Sequence, residues 1–197
     1  MDPSGPPSRA PLPDPVSVRR LGLVLVLVSL SVFFAAGLAI FAFSHQSRPS
    51  GSDLSLPPAL WLSTLLLLLS GLAVEGAARH ARRARLDEVG RWVRVSFVLG
   101  LLFTLAQVLG MASLLDRHEL SLSTGAFIGL EGLAFALVLI HAVHVAAGLG
   151  LLGMLAVRAG LDRLGLEHLP SVRSAATYWH FLEVVWVVLL IAFYAAG

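Results

Sequence analysis

Five apolar runs, at about Leu21–Phe43, Pro58–Ala78, Trp92–Leu115, Ala126–Val157 and Ala175–Ala196, constrain this chain more than any other feature. Each is long enough to cross a hydrocarbon core of about 30 Å at about 1.5 Å per residue. A bilayer offers no water to backbone N–H and C=O groups, so runs of this length must close their hydrogen bonds internally, as helices. Only 13% of the residues are charged and 57% are hydrophobic, where a soluble domain carries about 25% charge. The expected fold class is all-α integral membrane: one domain, residues 19–197, forming a bundle of five transmembrane helices. The fourth run is overlong, which predicts tilt, protrusion, or an interfacial start around Ser121–Gly125. Residues 1–18 hold six of the ten prolines and read as a disordered tail. That tail is too acidic and Pro-rich for a signal peptide, and the apolar run after it is too long for one.

All 14 basic residues are arginine, and their placement predicts the topology. Arg9, Arg19 and Arg20 precede span one. Six arginines, Arg79 to Arg94, lie between spans two and three. Arg158, Arg163 and Arg173 lie between spans four and five. That puts twelve on one side, against Arg48 and Arg117 on the other. The excess marks the cytoplasmic side, so the N-terminus is expected in the cytoplasm and the C-terminus outside. The basic pI of 9.9 is thereby explained by membrane orientation, and no nucleic-acid partner is expected.

Polar residues within the spans are the candidates for function, because a bilayer core penalises them. Span four carries His141 and His144, which share a helix face at i, i+3. Metal or haem ligation, a proton relay, and simple hydrogen bonding to a neighbouring helix are all open readings. Span five repeats the spacing with His180 and Glu183, flanked by Trp179 and Trp186. Spans four and five run antiparallel, which brings Glu183 and His144 to comparable depths. The expectation is that span four satisfies Glu183, with His144 as leading partner. Glu75 precedes Arg79 by one turn and reads as an interfacial ion pair. Glu131 lies early in span four on the outer side. Gln107, Ser63, Thr64 and Ser70 suit interhelical hydrogen bonds, and Gly148 and Gly150 suit close helix approach.

There is no cysteine, so disulfides and Cys-ligated metals are excluded. No phosphate-binding glycine loop or zinc-protease motif is present. No further His-rich motif completes a metal site.

Four segments together resemble one family. Tyr178–Trp186 is similar to YWHFVDVVW, the terminal-helix signature of subunit III of haem-copper (cytochrome c) oxidases. His141–Val145 resembles that family's HGLHV motif, and Gly148 matches the glycine that follows. Leu99–Gln107 resembles LGxxFxxxQ one helix earlier, and Pro57–Gly71 resembles PxLNTxxLLxSG. The order and spacing agree over roughly residues 20–197. Family members usually have seven helices, so this chain resembles a five-helix form lacking the first two.

The resemblance implies a non-redox accessory subunit in a bacterial cytoplasmic membrane. Its partners would be the catalytic subunit I, which holds haem and copper, the other oxidase subunits and membrane phospholipids. It would stabilise the catalytic subunit and sustain proton uptake during aerobic respiration, with cytochrome c or quinol as the electron donor. It implies no cofactor in this chain beyond bound phospholipid. His141, His144, His180 and Glu183 would then form an intramembrane polar network, with Glu75, Gln107 and Glu131 as secondary candidates. Two residues depart from the family pattern: Leu30 stands where a glutamate is usual, and Glu183 where an aspartate is usual. Other readings are an accessory subunit of a nitric oxide reductase, a small membrane b-type cytochrome ligated by His141 or His144 with His180, and a small transporter.

Overall fold

The computed structural model describes residues 15–46, 58–118 and 130–195. Among them the chain is all helical: α1 Pro15–Gln46, α2 Pro58–Arg82, α3 Leu86–His118, α4 Leu130–Gly160 and α5 Leu169–Ala195. All five are long and apolar enough to cross a membrane. Most of the helices overrun the apolar runs, because a helix continues into the charged interface once its hydrogen-bond ladder is established. α1 starts at Pro15, so residues 15–18 of the expected tail form its first turn. Proline suits that position, having no N–H to leave unpaired. Residues 1–14 of the tail, the stretch Ser121–Gly125 and the start of span four before Leu130 lie outside the described residues.

Two tight connections sit at the arginine-bearing end. α2 and α3 are joined through Arg83–Arg85, and α4 and α5 through Leu161–Gly165 and a 3₁₀ turn at Leu166–His168. Both helices before these connections end the same way. The Arg85 N–H reaches the His80 carbonyl and the Ala84 N–H reaches Ala81, while the Arg163 N–H reaches Arg158. This is the Schellman arrangement, which needs a left-handed residue just past the helix. Ala84 at φ 53° and Asp162 at φ 52° supply it.

α5 is the central element. It packs on α1, α2 and α4, while α2 and α3 form the most extensive pair. α1 lies against α4 and α5 through Leu23, Leu27, Leu30, Phe34 and Phe41, spaced four and three residues apart as one helix face. Leu30, where the resemblance led one to expect a glutamate, is thus part of an apolar seam. The outward faces carry residues such as Leu65, Leu72, Val98, Leu105 and Val143, all more than half exposed. In water such a surface would aggregate; in a bilayer it is the lipid-facing coat.

Without a hydrophobic drive between helices in lipid, close packing and polar contacts hold the bundle. Trp179 provides the packing. A Cβ on Gly100 would stand 3.0 Å from its ring, and one on Gly148 would stand 3.1 Å away, so the indole is wedged between α3 and α4 by two missing methyls. Gly150, expected to help in the same way, has nothing within 4 Å of such a Cβ and faces outward. It lies about 200° around the helix from Gly148.

Candidate functional site

A polar track follows the α2 face toward α3 and α5. Furthest from the arginine end, the Ser63 hydroxyl donates to Gln107 Oε1 at 3.0 Å, linking α2 to α3. One residue on, Thr64 accepts from the Trp186 indole N–H at 3.0 Å. Two turns further, Ser70 and Ser96 each donate to the other's backbone carbonyl, at 2.9 and 3.0 Å. Sequence reasoning found Ser63, Thr64, Ser70 and Gln107 but missed Ser96, because a lone serine in an apolar run gives no sign of which helix it faces.

Glu183 comes next along the track. It is only 8% exposed, and its Oε2 lies 2.7 Å from Nδ1 of His180, one turn earlier on α5. Its carboxyl rests on the backbone of α2 at Gly71, where a Cβ would meet Oε1 at 1.7 Å. Oε1 is buried without a hydrogen-bond partner among the described residues. The other nitrogen of His180, Nε2, lies 3.7 Å from Oε2 of Glu75 on α2. Glu75 Oε1 in turn accepts from Arg79 at 3.1 Å and Arg82 at 2.9 Å. A series thus runs from two arginines through Glu75 and, across the 3.7 Å step, His180 to Glu183. Its ends differ in side-chain exposure, 69% and 53% at the arginines against 11% at Glu183, with His180 between them at 41%.

Glu75 therefore has a wider role than its expected ion pair with Arg79. Arg82 shares its carboxylate, and His180 reaches it from another helix. The i+7 position of Arg82, two turns on and on the same face, was the sequence signal for the first addition. Nothing local signalled the second.

His144 is not the partner of Glu183. Its Nδ1 lies 2.7 Å from the Ile140 carbonyl of its own helix. What α4 offers α5 here is the His144 backbone carbonyl, which accepts from the Tyr178 hydroxyl at 3.2 Å. Similar depth was not enough. Tyr178 and Glu183 lie about 140° apart around α5, so the side that meets His144 is not the side that carries the carboxyl.

His141 is separate again. It is 2% exposed, and its ring stacks on Trp186 with centroids 5.7 Å apart and planes 27° apart. Phe34 of α1 meets it edge-on at 6.1 Å and meets His144 at the same distance. Among the described residues neither ring nitrogen of His141 has a hydrogen-bond partner. Its surroundings are those of an aromatic core residue. The structure brings His180, Glu183 and Glu75 together. It holds His141 and His144 in a second, aromatic cluster, and Gln107 at the far end of the track. Glu131 lies in the first turn of α4, and its side chain is outside the described residues. Among the described residues, no group of three or more His, Asp or Glu is placed to hold a metal ion.

Comparison with known proteins identifies the family. A family model described as cytochrome c oxidase subunit III matches residues 16–197. The chain is 29% identical over 188 residues to a probable cytochrome c oxidase subunit 3 of Mycobacterium bovis, covering 92% of this chain and 88% of the relative. It is 29% identical over 182 residues to cytochrome c oxidase subunit 3 of Alkalihalophilus pseudofirmus, covering 91% and 87%. With the Mus musculus cytochrome c oxidase subunit 3 it shares 30% identity over 191 residues, covering 90% of this chain and 69% of the mouse protein. A match from the first described helix to the last residue, over helices packed around the His180–Glu183 segment, places this chain in the cytochrome c oxidase subunit III family.

Proposed function

We propose that this chain is the non-redox accessory subunit of a proton-pumping haem-copper terminal oxidase in a bacterial cytoplasmic membrane. The family match over residues 16–197 carries the reading. On it, the catalytic subunit I holds the haems and copper and takes electrons from cytochrome c or quinol. This chain packs beside it, stabilises it and sustains its proton uptake. The N-terminus is cytoplasmic, because the α2–α3 and α4–α5 connections hold the arginine excess.

The internal packing of His141 supports a role in the fold over one as an axial ligand. A bound phospholipid fits the same reading. An open cavity of about 520 Å³ at the arginine end is lined by Arg158, Arg163 and His168, with Met154, Val157 and Leu161 as its apolar wall. Cationic groups above an apolar surface match a phosphate headgroup above an acyl chain.

The test is a mild-detergent purification through a tag on this chain. The expected result is co-purification of a haem-containing subunit with oxygen-reducing activity, and no haem on this chain once separated. Purification of the chain alone from aerobically grown cells, with no haem protein attached, would count decisively against the proposal.

A further inference from the structure

The Glu75–His180–Glu183 series has the parts of a proton relay with a buried end. We propose that Glu183 is a reversible proton-storage site inside this subunit, loaded and unloaded from the arginine end through the His180 imidazole. The inference rests on the geometry of α2 and α5 and does not depend on the identity of the partner subunits.

The loaded state has one set of hydrogen-bond directions. Arg79 and Arg82 both donate to Glu75 Oε1, so Glu75 is held as a carboxylate. Nε2 of His180 faces that carboxylate from 3.7 Å, and in the proposed loaded state it carries the imidazole's one proton. A neutral imidazole with its proton on Nε2 has a lone pair on Nδ1. Nδ1 is 2.7 Å from Glu183 Oε2, so in that loaded state Glu183 is the donor and holds the stored proton. This also accounts for the partnerless, buried Oε1 over Gly71. An unpaired carbonyl oxygen costs far less in an apolar interior than an unpaired carboxylate oxygen.

Unloading moves one proton and no electrons. The Oε2–H bond of Glu183 breaks as Nδ1–H forms. The Nε2–H bond breaks as the proton passes to Glu75 or to water at the arginine end. The imidazole finishes in its other tautomer, with Nδ1–H now donating to the Glu183 carboxylate. The 3.7 Å gap between Nε2 and Glu75 is longer than a hydrogen bond. It is the step that a small side-chain rotation or a bridging water must close, and it acts as the gate.

The groups around the relay make it a dead end. α2 contributes Glu75, Arg79 and Arg82, all on the loading side. α3 contributes only the Ser96 hydroxyl, engaged with Ser70. α4 contributes a backbone carbonyl, taken by Tyr178. Among the described residues nothing is hydrogen-bonded to Glu183 beyond His180. One further turn along α5, Trp186 is committed to Thr64. A proton on Glu183 therefore leaves the way it came, which makes the site a store and not a leak.

Infrared difference spectroscopy on the full chain, in whatever complex it purifies with, tests this. Subtracting the Glu183→Gln spectrum from wild type isolates the residue. The expected result is a C=O band of a protonated carboxyl that disappears in Glu183→Gln and moves to lower frequency in D2O. In His180→Phe the band should persist, while its H/D exchange slows on the order of 100-fold, the scale of a lost general acid–base group. Glu75→Gln should slow it too. If no C=O band depends on Glu183, the residue is ionised against a protonated His180 and the proposal fails. It fails equally if exchange keeps its wild-type rate in His180→Phe. Should Glu183→Gln not assemble, Glu183→Asp must shift the band without removing it, and an unshifted band assigns the signal to another group and overturns the proposal.

Discussion

Glu183 of α5 stands directly on Gly71 of α2: a Cβ added at Gly71 would lie 1.7 Å from Oε1 and 2.4 Å from the carboxyl carbon. The acid is buried because the neighbouring helix has no side chain at that level. Gly71→Ala should therefore expel the carboxyl as a whole, breaking its bond to His180. The cost expected is about 1–3 kcal/mol, the range for overpacking a filled interior, seen as a lower Tm of the purified complex. Glu183→Asp, shorter by one methylene, should restore part of that loss in the Gly71→Ala background. Equal Tm values for Gly71→Ala and wild type would show that the carboxyl has another place to go.

Trp179 yields a test with an internal control. Gly100→Ala and Gly148→Ala each push a methyl to about 3.0 Å from its indole ring, on two different helices. Each should lower stability by about 1–3 kcal/mol, and Trp179→Phe should relieve both. Gly150→Ala, on the outward face of α4 with no atom within 4 Å of the new Cβ, should leave the Tm unchanged. Thermal unfolding of the four variants in one detergent decides it. A loss at Gly150 as large as at Gly148 would mean that a partner packs on that face.

How much of this was legible beforehand depends on distance along the chain. Span number and extent follow from apolar run length, because a bilayer forces helices on any such run. His180 and Glu183 could be paired from the sequence in principle, since i, i+3 on one helix is a local relation. The pairing with His144 was preferred because depth along an axis can be counted, whereas rotation about it cannot. The same gap hid Ser96 behind Ser70, and Glu75 behind His180. Each is a relation between faces of two helices, fixed by where large residues such as Trp179 and Trp186 find room. Glycine was the most informative residue in hindsight: Gly71, Gly100 and Gly148 mark the close approaches, but Gly150 reads identically in the sequence and marks nothing.

The Schellman turn after α2 offers a stabilising change. Ala84 sits at φ 53°, a left-handed conformation that costs a residue with a Cβ roughly 1–2 kcal/mol. Ala84→Gly removes that cost, while giving the unfolded chain more freedom. The net gain expected is about 0.5–1 kcal/mol, read as a rise in Tm of the complex. Asp162, at φ 52° in the corresponding turn after α4, should gain less on change to glycine, because short polar side chains tolerate this region better. No change at Ala84 would show that the turn is open in the unfolding reference state as well.

His141 permits the sharpest separation of packing from chemistry. Its ring is stacked on Trp186 and flanked by Phe34, and both nitrogens lack hydrogen-bond partners among the described residues. A buried polar group with no partner destabilises, so replacing it with an apolar ring of similar shape should be neutral or favourable. His141→Phe is expected to keep the stability within about 1 kcal/mol of wild type or raise it, and to leave the haem spectrum and turnover of the purified complex unchanged. His141→Ala removes the stacked ring and should cost about 2–4 kcal/mol through the cavity beside Trp186. If His141→Phe were as damaging as His141→Ala, the imidazole nitrogens would be engaged by a group outside this chain. The aromatic cluster of α1, α4 and α5 would then be an interface and not a core.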